Sequence, residues 1–173
     1  MTDRAADALD TFAGPIYLVG ALFVVLPLLD YFVNIWPVAL GAPEWRYGAI
    51  GLLAGFLLSP LLGSALVAWL ALARGDGRTQ RVVAILNLAA AAFLLLLCLE
   101  FLLDVVQLRG HIGASAEARW SYYGGVLKNL AKYALTIVAL VWLGRAGWRT
   151  RRPITRASGD PIVVRRSGSS GDR

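Results

Sequence analysis

The chain has 173 residues, is 58% hydrophobic with a mean hydropathy of +0.62, and carries a net charge of +6. A soluble domain is about 45–50% apolar, and the excess here falls in four blocks, each near the ~20 residues needed to cross a bilayer; that leaves room for one helical unit and no second domain. Fifteen of the 17 basic residues are Arg, and they sit at predicted helix ends and in the tail, so the charge reads as membrane topology and no nucleic-acid partner is expected.

Residues 1–14 form a short acidic N-terminus, with Asp3, Asp7 and Asp10 against Arg4. Ala5, Leu9, Phe12 and Ala13 could share the face of a brief interfacial helix, or the segment could fray. The positive n-region of a cleavable signal peptide is missing. A first membrane helix is predicted over about 15–37, with Pro15 in its first turn, Pro27 kinking it and Pro37 stopping it. A second is predicted over about 47–73, with no charge in the stretch and a bend at Ser59-Pro60. A third runs over about 82–107 and carries Glu100 and Asp104 near its end. A fourth runs over about 121–144, interrupted by Lys128 and Lys132. Residues 146–173 are rich in Arg, Ser and Gly and are expected to be a disordered basic tail.

The predicted fold is all-α: an integral membrane, antiparallel four-helix bundle with short loops. Counting Lys and Arg orients it. Twelve arginines (Arg4; Arg74, Arg78, Arg81; Arg145, Arg149, Arg151, Arg152, Arg156, Arg165, Arg166, Arg173) fall on one side, and Arg46, Arg109 and Arg119 on the other. Both termini are therefore expected in the cytoplasm. The Arg-rich, Met-poor usage suggests a bacterial inner membrane. Arg145, Arg149, Arg151, Arg152 and Arg156 form a juxtamembrane cluster expected to touch anionic lipid, each worth ~1 kcal/mol. Trp36, Trp45, Tyr47, Trp120, Tyr122 and Tyr123 mark the outer boundary; Trp69, Trp142 and Trp148 mark the inner one.

Two features could carry chemistry or assembly. Gly51, Gly55, Ser59 and Gly63 recur every four residues, a stripe along which another helix can approach closely. Asp30 with Asn34, Glu100 with Asp104, and Lys128 with Lys132 place five charges in the outer half of the membrane, Asp30 about seven residues or ~10 Å deep. Charges there should face one another, and three acids against two lysines leave one acid over, able to bind a proton or small cation reversibly. Leu28-Leu29-Asp30 precedes Trp45-Arg46-Tyr47-Gly48 as Leu102-Leu103-Asp104 precedes Trp120-Ser121-Tyr122-Tyr123-Gly124, which reads either as a weak internal repeat or as boundary chemistry that favours aromatic residues at both places.

Other chemistry lacks its residues. The chain has one His and one Cys, so intramembrane bis-histidine haem, paired-thiol chemistry and a zinc site are not expected. His111 and Ser115 share a loop without an orienting acid, no Gly-rich phosphate loop is present, and Arg74-Gly75-Asp76-Gly77-Arg78 reads as a polar turn. No enzyme activity and no cofactor are expected. A non-catalytic subunit, assembly factor or regulator, in a homo-oligomer or larger complex, fits the composition; a proton- or cation-coupled transporter using the charge cluster is the alternative.

Overall fold

The computed structural model describes residues 3–111 and 116–149. They are all-helical, at 92% helix with no strand. Helix α1 spans Asp3–Asn34, α2 Pro43–Phe56, α3 Leu58–Arg74, α4 Gly77–Leu108 and α5 Ala116–Arg149, with a 3-10 turn at Arg109–His111. Three helical stretches, Thr11–Asn34, Gly77–Leu108 and Arg119–Trp148, are long and apolar enough to cross a membrane, and α2 with α3, bent by 43°, would make a fourth. The basic tail with Arg151, Arg152 and Arg156 lies outside the described residues.

The surface fits a lipid solvent. Large apolar side chains point outward on every long helix, among them Phe32, Leu96, Leu127 and Trp142. In water such a surface would be an aggregation liability; in hydrocarbon it is solvated, while the helices satisfy their backbone groups internally. The apolar helices suggest a membrane-embedded protein.

Two boundaries differ from the sequence expectation. Helix α1 starts at Asp3 and runs through Pro15, and it ends at Asn34, before Pro37. Asp30 therefore stands one turn from the helix end. The predicted second helix is two, because Pro60, in the first turn of α3, has no N–H to return to the Phe56 carbonyl. The ladder stops at Leu57 and resumes when the Leu61 N–H reaches the Leu57 carbonyl at 3.2 Å.

Helix α3 turns into α4 within two residues. Gly75 adopts the left-handed conformation (φ +68°) that ends α3. Asp76 then caps α4, accepting from the N–H groups of Arg78 and Thr79 at 3.1 and 3.2 Å and from the Thr79 hydroxyl at 2.6 Å. The Thr79 hydroxyl and amide hold the Asp76 carboxyl below its ordinary value. A carboxyl depressed in the fold adds stability that is present above its unfolded pKa and lost as pH falls through the folded one. Asp76→Ala should cost about 1 kcal/mol. Asp76→Asn should keep the cap but lose the acid dependence below about pH 4, as thermal unfolding in detergent across pH would show.

Helices α4 and α5 pack along most of their length. The buried positions of α4 are Ala84, Asn87, Ala91, Leu94, Phe101 and Asp104; those of α5 include Val126, Tyr133, Thr136 and Leu140. Both sets step by three, four or seven, the spacing of a left-handed helix pair. At one end the helices nearly touch: a Cβ on Gly144 would lie 2.7 Å from Leu88 Cγ and 3.2 Å from the Ala84 carbonyl. Helices α2 and α3 lie against this pair. Helix α1 packs on α3 and on α2, and among the described residues its backbone does not come close to α4 or α5.

Candidate functional site

The first turn of α2 delivers Arg46 into the top of the α4–α5 pair. Its Nη2 donates to Asp104 Oδ1 at 2.7 Å, and its Nε lies 3.2 and 3.3 Å from the two carboxylate oxygens. Its Nη1 donates to the Leu40 carbonyl at 2.9 Å. Asp104 is fully buried and Arg46 partly so. A buried carboxylate is tolerated when a planar guanidinium meets both oxygens, and Arg46 supplies that fork.

Around this pair the rings interlock. Tyr47 stacks on Phe101 at 5.1 Å and on Tyr122 at 5.6 Å. The Tyr122 hydroxyl donates to the Val105 carbonyl at 3.1 Å, and the buried Tyr133 hydroxyl donates to the Ile50 carbonyl at 2.6 Å. The upper half of α2 is thus fixed between α4 and α5 by one ion pair, one three-ring stack and one buried hydrogen bond.

The remaining charges are arranged differently from the sequence expectation. Neither Lys128 nor Lys132 lies within 4.0 Å of a carboxylate among the described residues. Glu100 and Lys128 are exposed and Lys132 is half-buried. The acid on α4 is met by an arginine from the first turn of α2. The buried line of α5 runs through Val126, Tyr133 and Thr136, and at 100° per residue Lys128, two places after Val126, points away from it. Thr136 donates to the Lys132 carbonyl at 2.8 Å.

The small-residue stripe does not face one partner, because the break at Leu57 divides it. A Cβ on Gly51 would come 3.1 Å from the Asn129 amide nitrogen of α5. Gly63 lies against α1, its would-be Cβ 2.5 Å from the Gly20 carbonyl oxygen. The Ser59 hydroxyl donates to the Phe23 carbonyl at 3.0 Å. That carbonyl is the one that Pro27, four residues on, cannot bond. Gly55 meets nothing within 4 Å and borders an open groove.

This groove, of about 500 Å³, lies between α1 and the α2–α3 break and is lined by Pro27, Asp30, Gly55, Phe56 and Ser59 among others. Asp30 is exposed and keeps local company only: Asn34 Nδ2 donates to Asp30 Oδ1 at 3.2 Å and to the Asp30 carbonyl at 2.8 Å. Of the basic cluster, Arg145 is exposed and Arg149 is the last residue of α5. Among the described residues no three His, Cys, Asp or Glu side chains group as metal ligands.

Sequence reasoning placed Arg46 in an outer connection, counted it for orientation and gave it no part in the charge cluster. The available signal was the acid pair Glu100 and Asp104 beside a helix start that carries Arg. Comparison with known protein families, with curated proteins and with solved structures finds no match.

Proposed function

We propose that this chain is a four-span inner-membrane protein, an antiparallel bundle with both termini in the cytoplasm. It serves as a non-catalytic member of a membrane assembly: a subunit, assembly factor or regulator. One observation carries this reading. Glu100 on α4 and Lys128 on α5 are exposed within span-length apolar helices, while the buried acid between these elements, Asp104, is already matched by Arg46. Charged groups in such helices face protein or water rather than lipid, so a second chain that covers them accounts for both. The arginine count supports the orientation, and Arg145, Arg149 and the tail arginines then meet anionic lipid on the inner face.

The test is purification from native membranes in mild detergent, followed by native mass spectrometry, with photo-crosslinkers at positions 100 and 128. Stoichiometric protein partners or a homo-oligomer, crosslinked at those positions, support the proposal. A lone chain whose crosslinks reach lipid alone overturns it. A second reading, cation-coupled transport, is favoured by a different observation: Asp30 lines a groove at the break between α2 and α3.

A further inference from the structure

We propose that the groove between α1 and the α2–α3 break binds one monovalent cation, with the Asp30 carboxylate as its counter-charge and the Phe56 carbonyl and Ser59 hydroxyl as neutral oxygen ligands. The site deepens the transport reading by naming its ion class. It requires the membrane placement of the helices and is independent of the assembly reading, so the two tests fail separately.

The prolines make the first argument. Pro27 and Pro60 each deprive a carbonyl four residues earlier of its donor. For Pro27 this is Phe23, and the Ser59 hydroxyl replaces the missing N–H. For Pro60 it is Phe56, whose i+4 donor is missing because Pro60 has no N–H. A carbonyl without a donor costs several kcal/mol in hydrocarbon, and non-helical backbone is tolerated at that depth where it lines a cavity. Phe56 lines one. As the last residue of α2, it also presents the negative end of that helix. Broken helices that end at a carbonyl are a recurring way to hold a small cation.

Charge makes the second argument. Asp30 Oδ1 accepts from Asn34, and Oδ2 has no hydrogen-bond partner among the described residues. Side chains lean toward their helix N-terminus, so Asp30, near the end of α1, leans back toward the level of the break. No basic residue stands in the last turn of α1 to neutralise it. The two matching sequence segments differ at this point. Asp104, which corresponds to Asp30, is matched by Arg46, but the position corresponding to Arg46 in the second segment is Ser121. The partner that neutralises one acid has no counterpart for the other, and a bound cation supplies the missing charge.

Chemistry sets the class. The groove offers oxygen donors and one carboxylate, without His or Cys, which suits a hard ion. One negative charge in an apolar setting balances one positive charge, hence a monovalent ion. The volume leaves room for waters that complete its coordination.

The experiment is thermal unfolding of the full chain in lipid nanodiscs in NaCl, LiCl or KCl, each exchanged against N-methyl-D-glucamine chloride at constant ionic strength, together with equilibrium binding of radiolabelled sodium. The expected result is a saturable, cation-specific rise in the unfolding midpoint and stoichiometric binding. Asp30→Asn, a substitution at an exposed position, should abolish both while size-exclusion behaviour and tryptophan emission stay as in the wild type. Ser59→Ala should raise the half-saturating concentration roughly tenfold, the size expected for one lost neutral ligand. Pro60→Ala gives the Phe56 carbonyl its donor back and should weaken binding without unfolding the chain. A wild type indifferent to cation identity, an Asp30→Asn variant that still binds, or a Pro60→Ala variant that binds as tightly as the wild type each overturns the site.

Discussion

Replacing Arg46 by Met is expected to lower the stability of the protein strongly, because it leaves the buried Asp104 carboxylate uncompensated. Asp104 is fully buried and its described partner is the Arg46 guanidinium. Once that is gone, the buried carboxylate has no cation beside it, and the packing of α2 on α4 must change to accommodate it. The loss extends beyond the pair, because Arg46 also holds the Leu40 carbonyl and precedes Tyr47 in the ring stack. The control is the double replacement Arg46→Met with Asp104→Leu. It removes both charges and keeps bulk, and should recover most of the stability or exceed the wild type. Reversible unfolding in mixed micelles would measure all three proteins. A single variant within 1 kcal/mol of the wild type would show that Asp104 reaches water.

The second large effect is steric. Gly63→Val should cost about 3 kcal/mol or more, at or above the upper end of ordinary overpacking. Even the Cβ would lie 2.5 Å from the Gly20 carbonyl oxygen, 2.9 Å from Phe23 Cβ and 3.1 Å from Val24 Cγ2. The first of these is backbone, so no side-chain rotation relieves it and α1 must move off α3. Most of the packing of α1 is on α3, and the separation also breaks the Ser59–Phe23 bond. Gly20→Ala should cost less: its Cβ would meet Val67 Cγ2 at 2.6 Å, which can turn aside, and the Gly63 oxygen at 3.2 Å. Gly55→Ala, in the same stripe, meets nothing within 4 Å and should gain about 0.5–1 kcal/mol from helix propensity. The same unfolding assay ranks the three. Equal effects at Gly55 and Gly63 would mean that the close α1–α3 crossing is absent.

The glycines show how much of the fold was legible. Four-residue spacing identified a stripe of small residues, yet spacing does not say that Pro60 would break the helix so that Gly51 and Gly63 serve different neighbours. The charges repeat the lesson. Counting three acids and two lysines predicted pairing within the set, but the pair that forms takes its cation from Arg46. A guanidinium on a long stem at the start of α2 reaches a buried carboxylate that outward-facing Lys128 cannot.

What the sequence determined by itself is the class of structure and the approximate place of each apolar run. Uncharged stretches such as 11–29 and 82–99 leave the backbone no partner but itself, which makes them helices wherever water is absent. It also marked the tight turn at Gly75-Asp76, whose chemistry is local. Only the tertiary structure decided which face of each helix is inside, which acid is matched and which is left in a groove. In a water-soluble helix the apolar face points inward and can be read from periodicity. Here the outside is apolar too, so hydrophobic pattern does not separate core from surface, and helix order, rotation and ion pairing are fixed by packing between elements distant in the chain.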